Sequence, residues 1–123
     1  MARQIRITAG PVSALATLHD NAMAERIWAA CPITSTAKTW GDEIYFDTNI
    51  SCEGEDMQAT VELGDLGYWP PGQAFCIFFG PTPMSVGDEI RPASPVAVFG
   101  VLEGDPTVFK AVRGGTAISV EQV

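Results

Sequence analysis

Polar and apolar residues alternate from the start of the chain. Residues 3–8, Arg-Gln-Ile-Arg-Ile-Thr, and 12–18, Val-Ser-Ala-Leu-Ala-Thr-Leu, both show the period of two that marks a half-exposed strand. Gly10-Pro11 between them makes a turn, so the two runs read as a hairpin. The period lengthens over 22–30, where Ala22, Met23, Ile27 and Ala30 fall on one helical face. Asp20 or Asn21 supplies an N-cap, and Cys31-Pro32 ends the helix, since the residue before proline disfavours the helical region.

Beyond Pro32 the period of two returns. Strands are predicted over 33–40, 43–47, 59–63, 73–79, 95–102 and 117–120. The run 73–79 is apolar throughout and reads as a strand buried on both faces. Residues 49–58 are polar and acidic without pattern, an exposed loop. Asp105-Pro106 has the form of a cap followed by proline at the first helical position, giving a short helix over 106–112. Eight strands and two short helices in 123 residues predict one mainly β domain over 1–123, a closed eight-stranded barrel with helical covers. Gly-Asp-Glu-Ile occurs at 41–44 and 87–90, but the match stops there, so it is shared turn chemistry and not duplication.

Charge narrows the partners. Seven Lys and Arg against 15 Asp and Glu leave a net charge of −8. Nucleic acid and acidic membrane surfaces both require the opposite sign. No Lys or Arg occurs between Thr39 and Ile90, a span holding ten of the acids. Such a span is ordinarily a solvated face; docking of a basic partner and salt adaptation are the alternatives. Three cysteines, Cys31, Cys52 and Cys76, form no close pair and read as reduced thiols. No apolar run reaches the ~20 residues of a membrane helix. The N-terminus enters strand pattern without a signal-peptide core, so a cytoplasmic location is expected.

Candidate chemistry is sparse. The single imidazole, His19, stands at a helix entrance and reads as a polar surface residue; no nucleophile motif accompanies it. One histidine and no cysteine pair exclude a zinc site, and Glu53, Glu55 and Asp56 lack the spacing of a calcium loop. Neither metal nor cofactor is expected. The most distinctive stretch runs from Gly64 to Met84. Pro70-Pro71-Gly72 fixes two backbone angles, permits a positive φ at the glycine and holds Tyr68 and Trp69 on a stiff loop. Gly80-Pro81-Thr82-Pro83-Met84 forms a second one. Two rigid loops at strand ends make either a barrel-end plug or the aromatic wall of a binding groove.

Trp40-Gly41-Asp42-Glu43-Ile44-Tyr45-Phe46, Gly64-Asp65-Leu66-Gly67-Tyr68-Trp69-Pro70-Pro71-Gly72, Phe78-Phe79-Gly80, Thr82-Pro83 and Arg91-Pro92-Ala93-Ser94 resemble a family of small prokaryotic cyclophilin-like proteins. The resemblance covers nearly the whole chain and implies an eight-stranded barrel closed by helices, not an activity. Cyclophilins proper are peptidyl-prolyl isomerases with a Phe-His-Arg strand motif. Their arginine donates to the prolyl nitrogen and lowers the ~18–20 kcal/mol resonance barrier. The corresponding stretch here, 41–47, offers Glu43 and Tyr45 but no arginine, and Arg91 is the one substitute donor.

The reading is a barrel that binds a peptide segment or small molecule in an aromatic groove, without efficient isomerase chemistry. Trp40, Glu43, Tyr45, Tyr68, Trp69, Phe79, Thr82, Met84 and Arg91 are the expected ligand-binding residues. A weak peptidyl-prolyl isomerase and a non-catalytic interaction module or subunit are the alternatives. Association with a second copy stays open.

Overall fold

The computed structural model of the chain describes residues 3–52 and 55–123. Glu53 and Gly54 of the acidic loop, with Met1 and Ala2, lie outside the described residues. The first alternating runs form the expected hairpin, β1 (Gln4–Ala9) and β2 (Val12–Leu18), turning at Gly10 with φ +58°. Ile5, Ile7 and Ala9 from β1 and Ala16 and Leu18 from β2 are buried. Helix α1 (Ala22–Ala30) follows, and Asn21 is the cap: its side chain accepts from Ala24 N at 2.9 Å. Met23, Ala24 and Ile27 are its buried face, whereas the expected Ala22 and Ala30 are exposed. The helix lies against β8 (Ala97–Leu102), and its larger apolar side chains, Met23 and Ile27, take the buried face with Ala24 between them.

The predicted strand 33–40 is two strands, β3 (Ile33–Thr36) and β4 (Lys38–Thr39). Ala37 between them is fully buried, and its N–H and C=O are taken by Thr116 O and Gly115 N, each at 2.8 Å. At that residue the chain passes from β9 (Ala117–Gln122) to β5 (Glu43–Asp47). The antiparallel sheet runs β3-β9-β1-β2-β8-β6-β7-β5-β4, with β6 at Asp65–Trp69 and β7 at Ala74–Phe78. Its two ends are consecutive pieces of one run, so the sheet curls into a nearly closed barrel of nine strands and not eight.

Residues 59–63 do not form the predicted strand; Val61 makes a single bridge to Ile90. The strand lies one turn later, at β6, where Gly64 just before it and Gly67 within it hide it from propensity. Gly67 is required there: a Cβ would stand 2.8 Å from Val96 Cγ2, inside contact distance. β7 is buried at every position, as its composition predicts, because it lies between β5 and β6 and is covered on both sides.

Those two sides are two cores. Inside the barrel Phe46 stacks on Phe75 at 4.7 Å, and Phe75 meets Phe99 edge-on at 4.9 Å. Outside it Ala74, Cys76 and Phe78 of β7 pack under Val61, Ile90 and Val96. A six-residue 3-10 helix, Pro106–Ala111, is capped by Asp105 as its Asp-Pro start predicts and buries Phe109 near Phe79. The three cysteines are free. No described helix is long and apolar enough to cross a membrane.

Candidate functional site

Strand alternation decides which residues reach the outer core. In the β5–β7 register Glu43 faces Phe78 and Tyr45 faces Cys76; in β6–β7, Gly67 faces Cys76 and Trp69 faces Ala74. Glu43, Tyr45 and Trp69 therefore share the outer face, while Ile44, Phe46, Leu66 and Tyr68 point into the barrel. The excursion between β7 and β8 returns over that outer face. Between the two lies a cavity of about 240 Å³ lined by Trp40, Glu43, Tyr45, Trp69, Pro92, Ala93 and Val96.

Each wall has a local cause. Gly41 takes φ +61°, turning Trp40 back so that its N–H donates to Glu43 O at 2.9 Å. The turn is held from behind: Asp42 N donates to Pro81 O at 2.9 Å, and Phe79 N to Asp42 O at 3.0 Å. Trp69 ends β6, before a 3-10 turn at Pro70–Gly72. Its ring lies over Gly72, where a Cβ would come within 2.7 Å of the indole, and its Nε1 donates to Ser94 Oγ at 2.6 Å. The positive φ expected at Gly72 falls instead on Gln73, at +47°. Gly72 is needed for the approach of the indole.

Glu43 carries the charge of the site. It is buried, with 6% of its surface exposed, and Oε1 accepts no hydrogen bond from the described residues. Burial pushes its carboxyl up to about 7, with the Cys76 thiol beside it pulling in the other direction. Burial likewise raises the Cys76 thiol well above its usual value, so it stands protonated at neutral pH.

The remaining expected residues lie elsewhere. Tyr68 alternates with Trp69 and is fully buried in the barrel core, where its hydroxyl donates to Ile50 O. It is not a groove wall, because neighbours in a strand face opposite ways. Nor does it stand on a loop with Trp69: both belong to β6. Phe79 is buried against Phe109. Thr82 is buried and braces the covering segment: its hydroxyl donates to Arg91 O and accepts from Met84 N at 3.2 Å. Met84 is half exposed and Arg91 is paired with Glu89; neither lines the cavity. Pro92, Ala93 and Val96 do line it and were not among the expected site residues. Their signal was the Arg-Pro-Ala-Ser run, a rigid turn entering a strand.

Two larger clefts, of about 630 and 400 Å³, lie beside α1. Neither has an aromatic wall, and the buried carboxylate in the second, Glu55, faces Arg26 Nε at 3.4 Å. Among the described residues no group of three or more His, Cys, Asp or Glu is placed to hold a metal ion.

Among curated proteins none matches the sequence. Solved structures share the fold, and two of them illustrate the range of likeness. The hypothetical protein AF2241 from Archaeoglobus fulgidus, solved in solution, is 40% identical; the match covers 99% of this chain and 95% of that one, with a TM-score of 0.83. McbB, solved in complex with tryptophan, is 15% identical over 95% of this chain and 44% of its own, with a TM-score of 0.71, a likeness of fold alone. The profile described as cyclophilin-like matches residues 3–121, nearly all of the barrel described above, and the chain belongs to that cyclophilin-like family.

Proposed function

We propose that this protein is a binding barrel: it takes a small molecule, or one side chain of a peptide segment, in the outer cavity walled by Trp40, Tyr45 and Trp69. The observation that carries the reading is the convergence of three aromatic rings on one buried, unpaired carboxylate. Sites for small ligands are mostly apolar with a few placed polar groups. At about 240 Å³ this one is below the ~300 Å³ of the smallest drug-sized pockets, so a fragment or single side chain fits it.

Isomerase chemistry is not what the site supports. Cyclophilin catalysis lowers the rotation barrier with a cationic donor at the prolyl nitrogen, and the cavity lining holds none. Arg91, the substitute donor, is bound to Glu89. In a prolyl isomerisation assay the protein should run at least about two orders of magnitude below a cyclophilin, since losing one electrostatic donor costs ~10²–10³ in rate. A rate within about tenfold of a cyclophilin, abolished by Arg91→Ala, would replace binding with catalysis as the function. Binding itself is tested by titrating benzyl alcohol against tryptophan emission, with Trp69→Ala weakening it by about 1–3 kcal/mol.

A further inference from the structure

Resting on that reading, the geometry points to the class of ligand: a protonated primary amine on an apolar stem. Its ammonium would sit on the Glu43 carboxylate, and its stem between Trp40, Tyr45 and Trp69.

The first support is the carboxylate. Glu43 is more than nine-tenths buried, lines the cavity, and has an oxygen to which no described residue donates. A buried charge is costly unless paired, and no described cation pairs with it. The nearby cations are engaged elsewhere. Lys38 on β4 pairs with Asp47 at 3.1 Å, its Nζ 5.8 Å from the Tyr45 ring centroid. Lys110 meets Asp42 at 3.8 Å, and Arg91 in the covering segment is held by Glu89. The other titratable groups on the site's own strands are Tyr45 and Asp47 of β5, Asp65 and Tyr68 of β6 and Cys76 of β7, all acids, so none neutralises a carboxylate.

The second support is the wall. Aromatic faces carry the negative end of a quadrupole, which attracts a cation and repels carbonyl or carboxylate oxygen. Three rings around a carboxylate therefore select a cation over a neutral acceptor. The third support is the absence of Lys and Arg from Thr39 to Ile90, the span that contributes Trp40, Glu43, Tyr45 and Trp69 to the lining, so those segments offer the carboxylate no cation of their own.

Binding is then linked to a proton. Burial keeps part of the Glu43 population protonated near neutrality. A cation binds the ionised form, so Glu43 loses its proton as the amine enters and up to one proton leaves per ligand. A neutral ligand that accepts from protonated Glu43 would show the opposite slope.

The test uses benzylammonium, its isostere benzyl alcohol, and Nα-acetyl-lysine N-methylamide, followed by tryptophan emission and by calorimetry in two buffers of different ionisation enthalpy. Benzylammonium affinity should rise roughly two orders of magnitude from pH 5 to 8, with proton release at pH 6. At pH 8 it should exceed that of benzyl alcohol at least about tenfold. Glu43→Gln should flatten the pH profile and lower the ammonium-to-alcohol affinity ratio by at least about tenfold. That variant is nearly isosteric, and its response to benzyl alcohol reports an intact pocket. Binding of the lysine derivative at similar strength extends the class to peptide lysine; its failure restricts the class to free amines. Equal affinity for alcohol and ammonium, or ammonium affinity that is flat or falling with pH, overturns the ligand class and leaves the pocket standing. No emission change with any of the three overturns the pocket reading as well.

Discussion

Tyr68 and Trp69 are adjacent, similar in size and opposite in role. Tyr68 is sealed in the barrel core with its hydroxyl on Ile50 O, so truncation to alanine opens a large cavity. Tyr68→Ala should cost ~3–5 kcal/mol and Tyr68→Phe about 1–2 kcal/mol, the latter from an orphaned carbonyl; urea unfolding reads both. Trp69 is half-buried and tied by one hydrogen bond to Ser94. Its loss should fall more on ligand affinity than on stability. The distinction was legible in the sequence only once the pair is assigned to a strand: a period of two then sends one ring in and the other out. Glycines at 64 and 67 give that segment the composition of a loop, and Pro70-Pro71-Gly72 directly after it suggests one stiff loop for both aromatics. Glu43 is an expected ligand-binding residue and the structure places it in the cavity lining, but its burial was not legible, since it begins a strand directly after a polar turn. Its raised carboxyl has a signed consequence. The folded state binds the proton more tightly than the unfolded chain, so stability falls as pH rises from about 4.5 to about 7 and then levels. The loss should be on the order of 2–4 kcal/mol, and Glu43→Gln should remove that slope from a pH series of urea melts.

The covering segment meets the outer face of the sheet at close approaches rather than along a ladder. It touches the strand beneath it where Val96 rests on Gly67, and the β6–β8 register shifts between Leu66 and Gly67 at that point. Gly67→Ala should overpack this contact and cost ~1–3 kcal/mol. Val96→Ala alone removes packing from the outer core and should also destabilise. Combined, the two should be less harmful than their sum, because the smaller residue at 96 makes room for the methyl; a double-mutant cycle measures that coupling. Strictly additive losses would mean that the segment moves away as a unit. The same dependence on tertiary contact explains which elements propensity finds. The hairpin 4–18, the helix 22–30 and the strand 74–78 carry their own periodicity and are found close to their bounds. The division at Ala37 and the strand 65–69 are imposed by partners distant in sequence, Gly115 and Thr116 in one case and β7 and β8 in the other.

At the scale of the whole molecule the governing quantity is a net charge of −8 on 123 residues. Opposing it are the ion pairs Arg3–Glu25, Arg26–Glu55, Lys38–Asp47, Arg91–Glu89 and Lys110–Asp42. Four of these are substantially exposed pairs, which contribute ~0–1 kcal/mol each and weaken in salt. Repulsion among the other acids also weakens in salt, and it acts between many more pairs of groups. Barrel closure brings those acids closer than they stand in the unfolded chain, so the compact state carries most of the repulsion. Shortening the screening length from ~10 Å at 0.1 M to ~3 Å at 1 M should then relieve more destabilisation than stabilisation. The melting temperature should rise by about 2–5 °C over that range of sodium chloride, the equivalent of roughly 1 kcal/mol for a domain of this size. Glu43 takes little part in this, since it is buried and half-neutral near pH 7, so Glu43→Gln should melt with the same salt dependence as the parent. A melting temperature that falls with salt would show that the ion pairs outweigh the repulsion, and would make the acidic span part of a paired network instead of a free negative face.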